Sequence, residues 1–140
     1  SELHNIPLLQ QGKIMKKSGI ELDETELLVS KIVEGIKEKK GEKIVTVNMT
    51  QLENNVFRYF VICEGRSNTH VGSIADSVKD YVREQIRVKP MAVDGYENAL
   101  WIALDYGDVI VHVFQPETRA FYSIETLWED ADVQEIPELF

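Results

Sequence analysis

Asp105 and Asp108 stand on either side of Tyr106 and Gly107, immediately before the apolar run Val109 to Phe114. Two carboxylates so placed can divide proton-transfer work between an acid and a base, provided that neighbouring groups hold their pKa values apart. No nucleophile, lysine or histidine adjoins them to do so. Asp at a tight turn also accepts hydrogen bonds from its own backbone, so chemistry taken alone favours a structural turn. Trp101 shifts that balance. Two-residue alternation along a strand places it on one face with Ala103 and Asp105, and Tyr106 follows. Aromatic rings mixed with a few charges compose protein-binding hot spots, which makes the corner either a docking edge or a turn beside a core tryptophan.

Other constellations are weaker. His4, His70 and His112 lie in an extension, a helix start and a strand, without the short spacing of metal ligands. Ser67 and His70 have the types of a nucleophile and its base, yet a cap residue three positions before a histidine is ordinary helix chemistry, and no GxSxG elbow is present. The segment Gly65 to Thr69 follows a strand and opens a helix, where free N–H groups attract anions, but both phosphate-loop fingerprints are missing. It is similar to the glycine-serine entry of nucleotidyltransferases. Those enzymes also need two metal-binding carboxylates on the next strand, whereas the acids that follow here, Asp76 and Asp80, are one turn apart on a predicted helix.

The elements that must carry these residues are legible from periodicity. Asp23 and Glu26 form a capping pair ahead of Leu28, Val29, Ile32, Val33 and Ile36, which predicts a helix ending near Gly41. Lys43 to Met49 alternates as a strand, with Ile44, Thr46 and Asn48 on one face and Val45, Val47 and Met49 on the other. Phe57 to Cys63 is apolar on both faces and is expected at the centre of a sheet. A helix from about Thr69 to Arg87 buries Val71, Ile74, Ala75, Val78 and Val82, and Pro90 forbids its continuation. A short Met91 to Val93 segment, a strand from Leu100 to Asp105, its hairpin partner Asp108 to Phe114, and one or two helical turns within Arg119 to Trp128 complete the order. The expected fold is α/β, a mixed sheet of about five strands sandwiched by helices.

At 140 residues and 44% hydrophobic content, the chain suits one globular domain with a self-sufficient core. The expected division is an extension or appended segment over residues 1–22, a core domain over 23–128 and an acidic tail over 129–140. Cys63, the sole cysteine, sits in YFVIC and implies a buried thiol in a reducing compartment. No apolar run reaches the ~20 residues that span a bilayer, so no membrane association and a cytoplasmic location are expected. The net charge of −9 opposes direct nucleic-acid binding and suits a basic protein partner. The bland alternative is an acidic, soluble surface without a partner of its own.

The segments EKKGEKIV, YFVICEGRSNTHV, SIADSVKD and WIALDYGDVIVHVFQPETRAFYSIETLW run in order through nearly all of Thr25 to Trp128. Together they resemble the Iojap-type ribosomal silencing factors. The resemblance implies a nucleotidyltransferase-like fold without catalytic carboxylates, no enzymatic activity, and no cofactor or metal. It further implies binding to the large ribosomal subunit through its ribosomal protein fourteen, which hinders joining of the small subunit and represses translation. Carried onto this chain, the implied partner surface includes Trp101, Asp105, Tyr106 and Asp108. The family often has Thr where Arg66 stands, which leaves the Gly65 to Thr69 loop without an inherited role. A vestigial nucleotide-binding function of that loop is the alternative reading, and a homodimer through the aromatic corner is a third.

Overall fold

Asp23 starts the first long helix as its spacing predicts: its side chain accepts a hydrogen bond from the Glu26 N–H at 2.7 Å. The computed structural model describes residues 9–10, 13–15, 21–52, 57–126 and 131–137. Three short strands, β1 (Leu9–Gln10), β2 (Lys13–Met15) and β3 (Glu21–Asp23), form a small antiparallel sheet ahead of helix α1 (Glu24–Glu38). Thr25, Leu28, Ile32, Gly35 and Ile36 recur at helical spacing and are buried. Gly35 permits the close approach of the second helix, because a Cβ there would stand 3.0 Å from the Val78 Cα. That helix, α2 (Asn68–Ile86), is capped by the Ser67 hydroxyl, which accepts from the His70 N–H at 3.1 Å. It ends at Arg87 in a left-handed conformation, φ 59°, just before Pro90.

The main sheet contains β4 (Glu42–Asn48), β5 (Tyr59–Glu64), β6 (Ala92–Asp94), β7 (Trp101–Asp105), β8 (Val109–Phe114) and β9 (Asp132–Glu135), in the order β6-β7-β8-β5-β4-β9. Only β5 and β8 run parallel, and both are buried along almost their whole length, as a central pair must be. Alternation then assigns the two faces. Ile44, Val61, Cys63, Ile102, Leu104, Val109, Val111 and Val113 pack beneath α1 and α2. Val45, Val47, Met49, Phe60, Ile62, Ile110 and Phe114 form the core of the opposite face with Ile124. Each fully buried Ile, Leu or Phe of these clusters contributes roughly 1.5–3 kcal/mol.

Helix α3 (Pro116–Tyr122) and a 3-10 turn (Ile124–Thr126) lie after β8. The α/β architecture with a mixed sheet is as expected. Among the described residues the sheet has six strands, and one of them comes from the acidic C-terminal segment: Asp132 to Glu135 pairs with Val45 to Asn48. All four of its side chains are exposed, so the strand is held by backbone hydrogen bonds and carries no apolar pattern to announce it. The extension likewise supplies β1, β2 and most of β3. Leu127 and Trp128 lie outside the described residues. Among the described residues, no helix is long and apolar enough to cross a membrane.

Candidate functional site

The face of the sheet away from α1 and α2 carries a run of aromatic side chains. Register places Trp101 opposite Phe114, and Ala103 opposite His112. The Trp101 and Phe114 rings stack with centroids 4.8 Å apart, and the Trp101 Nε1–H donates to His112 Nδ1 at 3.0 Å. The Tyr122 ring, from α3, lies tilted against the indole with centroids 5.0 Å apart, and Phe121 packs edge-on against Tyr122. Trp101 is half-buried, while Tyr122 is 50% and Phe121 81% exposed. Adjacent aromatics on a seven-residue helix cannot both reach the sheet, so one is left to solvent. The FY doublet itself was the available signal in the sequence. The result is an apolar, aromatic surface on a rigid platform, with the composition of a protein-binding hot spot.

Helix α3 is fastened by Arg119. Its Nε donates to Glu125 Oε1 at 3.0 Å, and its Nη1 donates to the Lys43 carbonyl at 2.7 Å and to Glu64 Oε2 at 3.2 Å. Arg119 and Glu64 are both buried. Lys43 has φ 48° at an irregularity between Glu42 and Val45, which turns its carbonyl out of the β4 ladder to meet the guanidinium. Arg119 therefore sets where Tyr122 stands against Trp101.

The four residues singled out at the corner do not form one patch. Trp101 and Asp105 share a face at opposite ends of β7, as alternation requires. Tyr106 continues the alternation of Ile102 and Leu104 and lies in the helix-side core, 8% exposed, with burial raising its pKa. The Asp105 carboxylate accepts from the Gly107 N–H at 2.7 Å and closes the turn, where Gly107 has φ 93°. Asp108 is exposed and faces the start of α1: its carboxylate accepts from the Thr25 hydroxyl at 3.5 Å, and Thr25 in turn accepts from Arg58 at 2.8 Å. The two aspartates thus serve separate elements, and no shared proton chemistry follows from their spacing.

The other motifs resolve into local structure. In the Gly65 to Thr69 loop, the Arg66 N–H donates to His70 Nδ1 at 2.9 Å, the Thr69 N–H to Asn68 Oδ1 at 2.8 Å and the Val71 N–H to the Ser67 carbonyl at 2.9 Å. The Arg66, Thr69 and Val71 donors are thus engaged by the chain's own acceptors rather than turned to a phosphate. His70 Nε2 lies 2.7 Å from the Lys39 carbonyl and ties the loop to the end of α1. Asp76 takes the Tyr96 hydroxyl and pairs with Lys79, and Asp80 pairs with Arg83. Cys63 is buried, which pushes its thiol up to about 12. Among the described residues, no group of three or more His, Cys, Asp or Glu could hold a metal ion.

A family model described as ribosomal silencing factor during starvation matches residues 22–139. A ribosomal silencing factor of Halalkalibacterium halodurans is 39% identical over 78% of this chain and 92% of its own length. That of Bacillus subtilis is 39% identical over 71% and 82% respectively. The chloroplastic Iojap protein of Zea mays is 30% identical over 93% of this chain and 60% of its own. In three dimensions, a crystal structure of a Chromobacterium violaceum protein aligns with TM-score 0.71 and 31% identity, covering 76% of this chain and 87% of that one. A Bacillus halodurans crystal structure aligns with TM-score 0.67 and 35% identity, covering 79% and 98%. The match takes in the strand β9 and runs through every element of the main sheet, and on it the chain belongs to the ribosomal silencing factor family.

Proposed function

We propose that the protein binds the large ribosomal subunit through its ribosomal protein fourteen and, by occupying that surface, hinders joining of the small subunit. It acts as a cytoplasmic repressor of translation, by steric blockade and without turnover. The observation that carries this reading is the aromatic surface made by half-buried Trp101 on β7 with exposed Tyr122 and Phe121 on α3, the helix that Arg119 fastens. Family membership supplies the ribosomal context. Burial of aromatic rings supplies affinity, and the net charge of −9 favours encounter with a basic ribosomal protein.

The test has two arms. Trp101→Ala and Tyr122→Ala should each weaken binding to isolated ribosomal protein fourteen by about 2 kcal/mol, roughly thirtyfold, with the fold retained by circular dichroism. In gradient sedimentation of lysate, the protein should travel with free large subunits and be scarce on joined ribosomes. Equal abundance on both would sink the blockade mechanism, and unchanged affinity of both variants would remove the aromatic surface from the interface.

A further inference from the structure

Helix α1 carries two apolar stripes. Thr25, Leu28, Ile32 and Ile36 face the core, whereas Val29 and Val33, one residue further on, are half-buried and line the wall of a groove. Both pack in part against the helix-side core, and the surface they leave uncovered makes the groove wall apolar. The floor is the helix-side face of the sheet's outer strands. Thr46 pairs with Gln134 and Asn48 with Asp132 across β4 and β9, and Tyr59 and Ile136 complete it. Helices α1 and α2 pack on β5, β7 and β8. Among the described residues, what they leave open beside α1 is a groove of ≈ 600 Å³, within the range of binding clefts. A third helix would lie there at the usual ~8–10 Å from α1 and complete the layer.

The chemistry of the rim selects the occupant. Glu26 and Glu34 project from the helix wall and Asp132 from the floor, and no Lys or Arg is among the described lining residues. Lys31 reaches Glu34 from the side, at 3.4 Å, which leaves Glu26 and Asp132 as the dominant charges. Their field is felt at Tyr59, whose pKa is raised by burial first and then by Glu26, Asp23 and Asp132, with Arg58 opposing. Such a rim repels nucleic-acid phosphates and attracts cations.

We propose that this groove docks a basic amphipathic helix of a protein partner, its apolar side on Val29, Val33 and Ile136 and its cationic residues against Glu26 and Asp132. The groove is on the opposite face of the sheet from Trp101, so the two surfaces can be occupied together. It is a second interaction site, independent of the ribosomal contact proposed above.

Fluorescence anisotropy with a labelled peptide of about 18 residues, five helical turns of Leu and Lys in a three-four pattern, tests it on the full chain. The patterned peptide should bind at least about tenfold more tightly than a scrambled peptide of the same composition, and the Leu–Glu counterpart should not bind. Val33→Lys should weaken the patterned peptide about tenfold or more while leaving binding to ribosomal protein fourteen unchanged. Glu26→Gln, a change at the rim that preserves the wall, should weaken it by several fold and flatten its salt dependence. Equal binding of the scrambled peptide, or affinity indifferent to both substitutions, would overturn the proposal. Concentration-dependent dimerisation abolished by Val33→Lys would also overturn it, since a second acidic copy would then be the occupant. A Trp101→Ala defect in ribosomal protein binding has no bearing on these outcomes, which keeps failure of one site distinguishable from failure of the other.

Discussion

Trp101 owes its orientation to His112. The indole N–H donates to Nδ1, so the imidazole proton sits on Nε2, which is buried without a partner among the described residues. Protonating Nδ1 would set two donors against each other. Burial already disfavours the cation and lowers the His112 pKa to about 4. The unfolded chain, with a pKa near 6.5, binds the proton more readily between those values, and stability therefore rises with pH across that window. The contribution is fully present above about pH 6.5 and is lost as pH falls towards 4. In urea titrations at pH 7.5 and 4.5, the wild type should lose up to about 3 kcal/mol more than His112→Asn, which has no imidazole to charge. Equal losses would mean that His112 is protonated or solvated in the native state. Two-residue alternation puts His112 on one face with Ile110 and Phe114; its bond to a tryptophan on the neighbouring strand is beyond any local pattern.

Between elements, the decisive contact is the anchoring of α3 by Arg119. Removing one partner of a buried pair leaves an uncompensated charge, at a cost of about 3–5 kcal/mol, while replacing both partners by apolar groups is often neutral. Arg119→Met should accordingly destabilise the protein by about 3 kcal/mol and loosen Tyr122 from Trp101. Adding Glu64→Leu should recover at least about 1 kcal/mol of that loss, measured by denaturant unfolding. A double variant as unstable as the single one would place the effect in the contacts to Glu125 and the Lys43 carbonyl. Here legibility divides by physical cause. The helices and central strands were readable because burial writes apolar periodicity: Leu28, Ile32 and Ile36 in α1, and Val109 to Phe114 in β8. The strand β9 was not, since an exposed edge strand is held by its backbone. Tyr106 was assigned to the corner with Trp101 although the same alternation that grouped Trp101 with Asp105 sends Tyr106 to the other face. Arg119 was visible only as a residue of the resemblance, because two of its three partners, Glu64 and the Lys43 carbonyl, lie 55 and 76 positions away.

The whole molecule presents a small aromatic surface set in a strongly acidic chain, and these two features should govern different kinetic steps. Long-range attraction acts before contact, raises the association rate for a basic partner, and is screened once the Debye length shrinks from tens of ångströms to a few. Stacked and buried rings act after contact and set the dissociation rate. In the proposed complex with ribosomal protein fourteen, raising salt from about 20 mM to about 500 mM should therefore slow association by roughly tenfold or more and leave dissociation within about twofold. Trp101→Ala should show the converse, with faster dissociation and a nearly unchanged association rate. Surface plasmon resonance over a salt series on both proteins separates the two contributions. If salt acted mainly on dissociation, the charged residues would have to sit inside the contact itself, and Asp105, which shares a sheet face with Trp101, would become the first carboxylate to test by replacement with Asn.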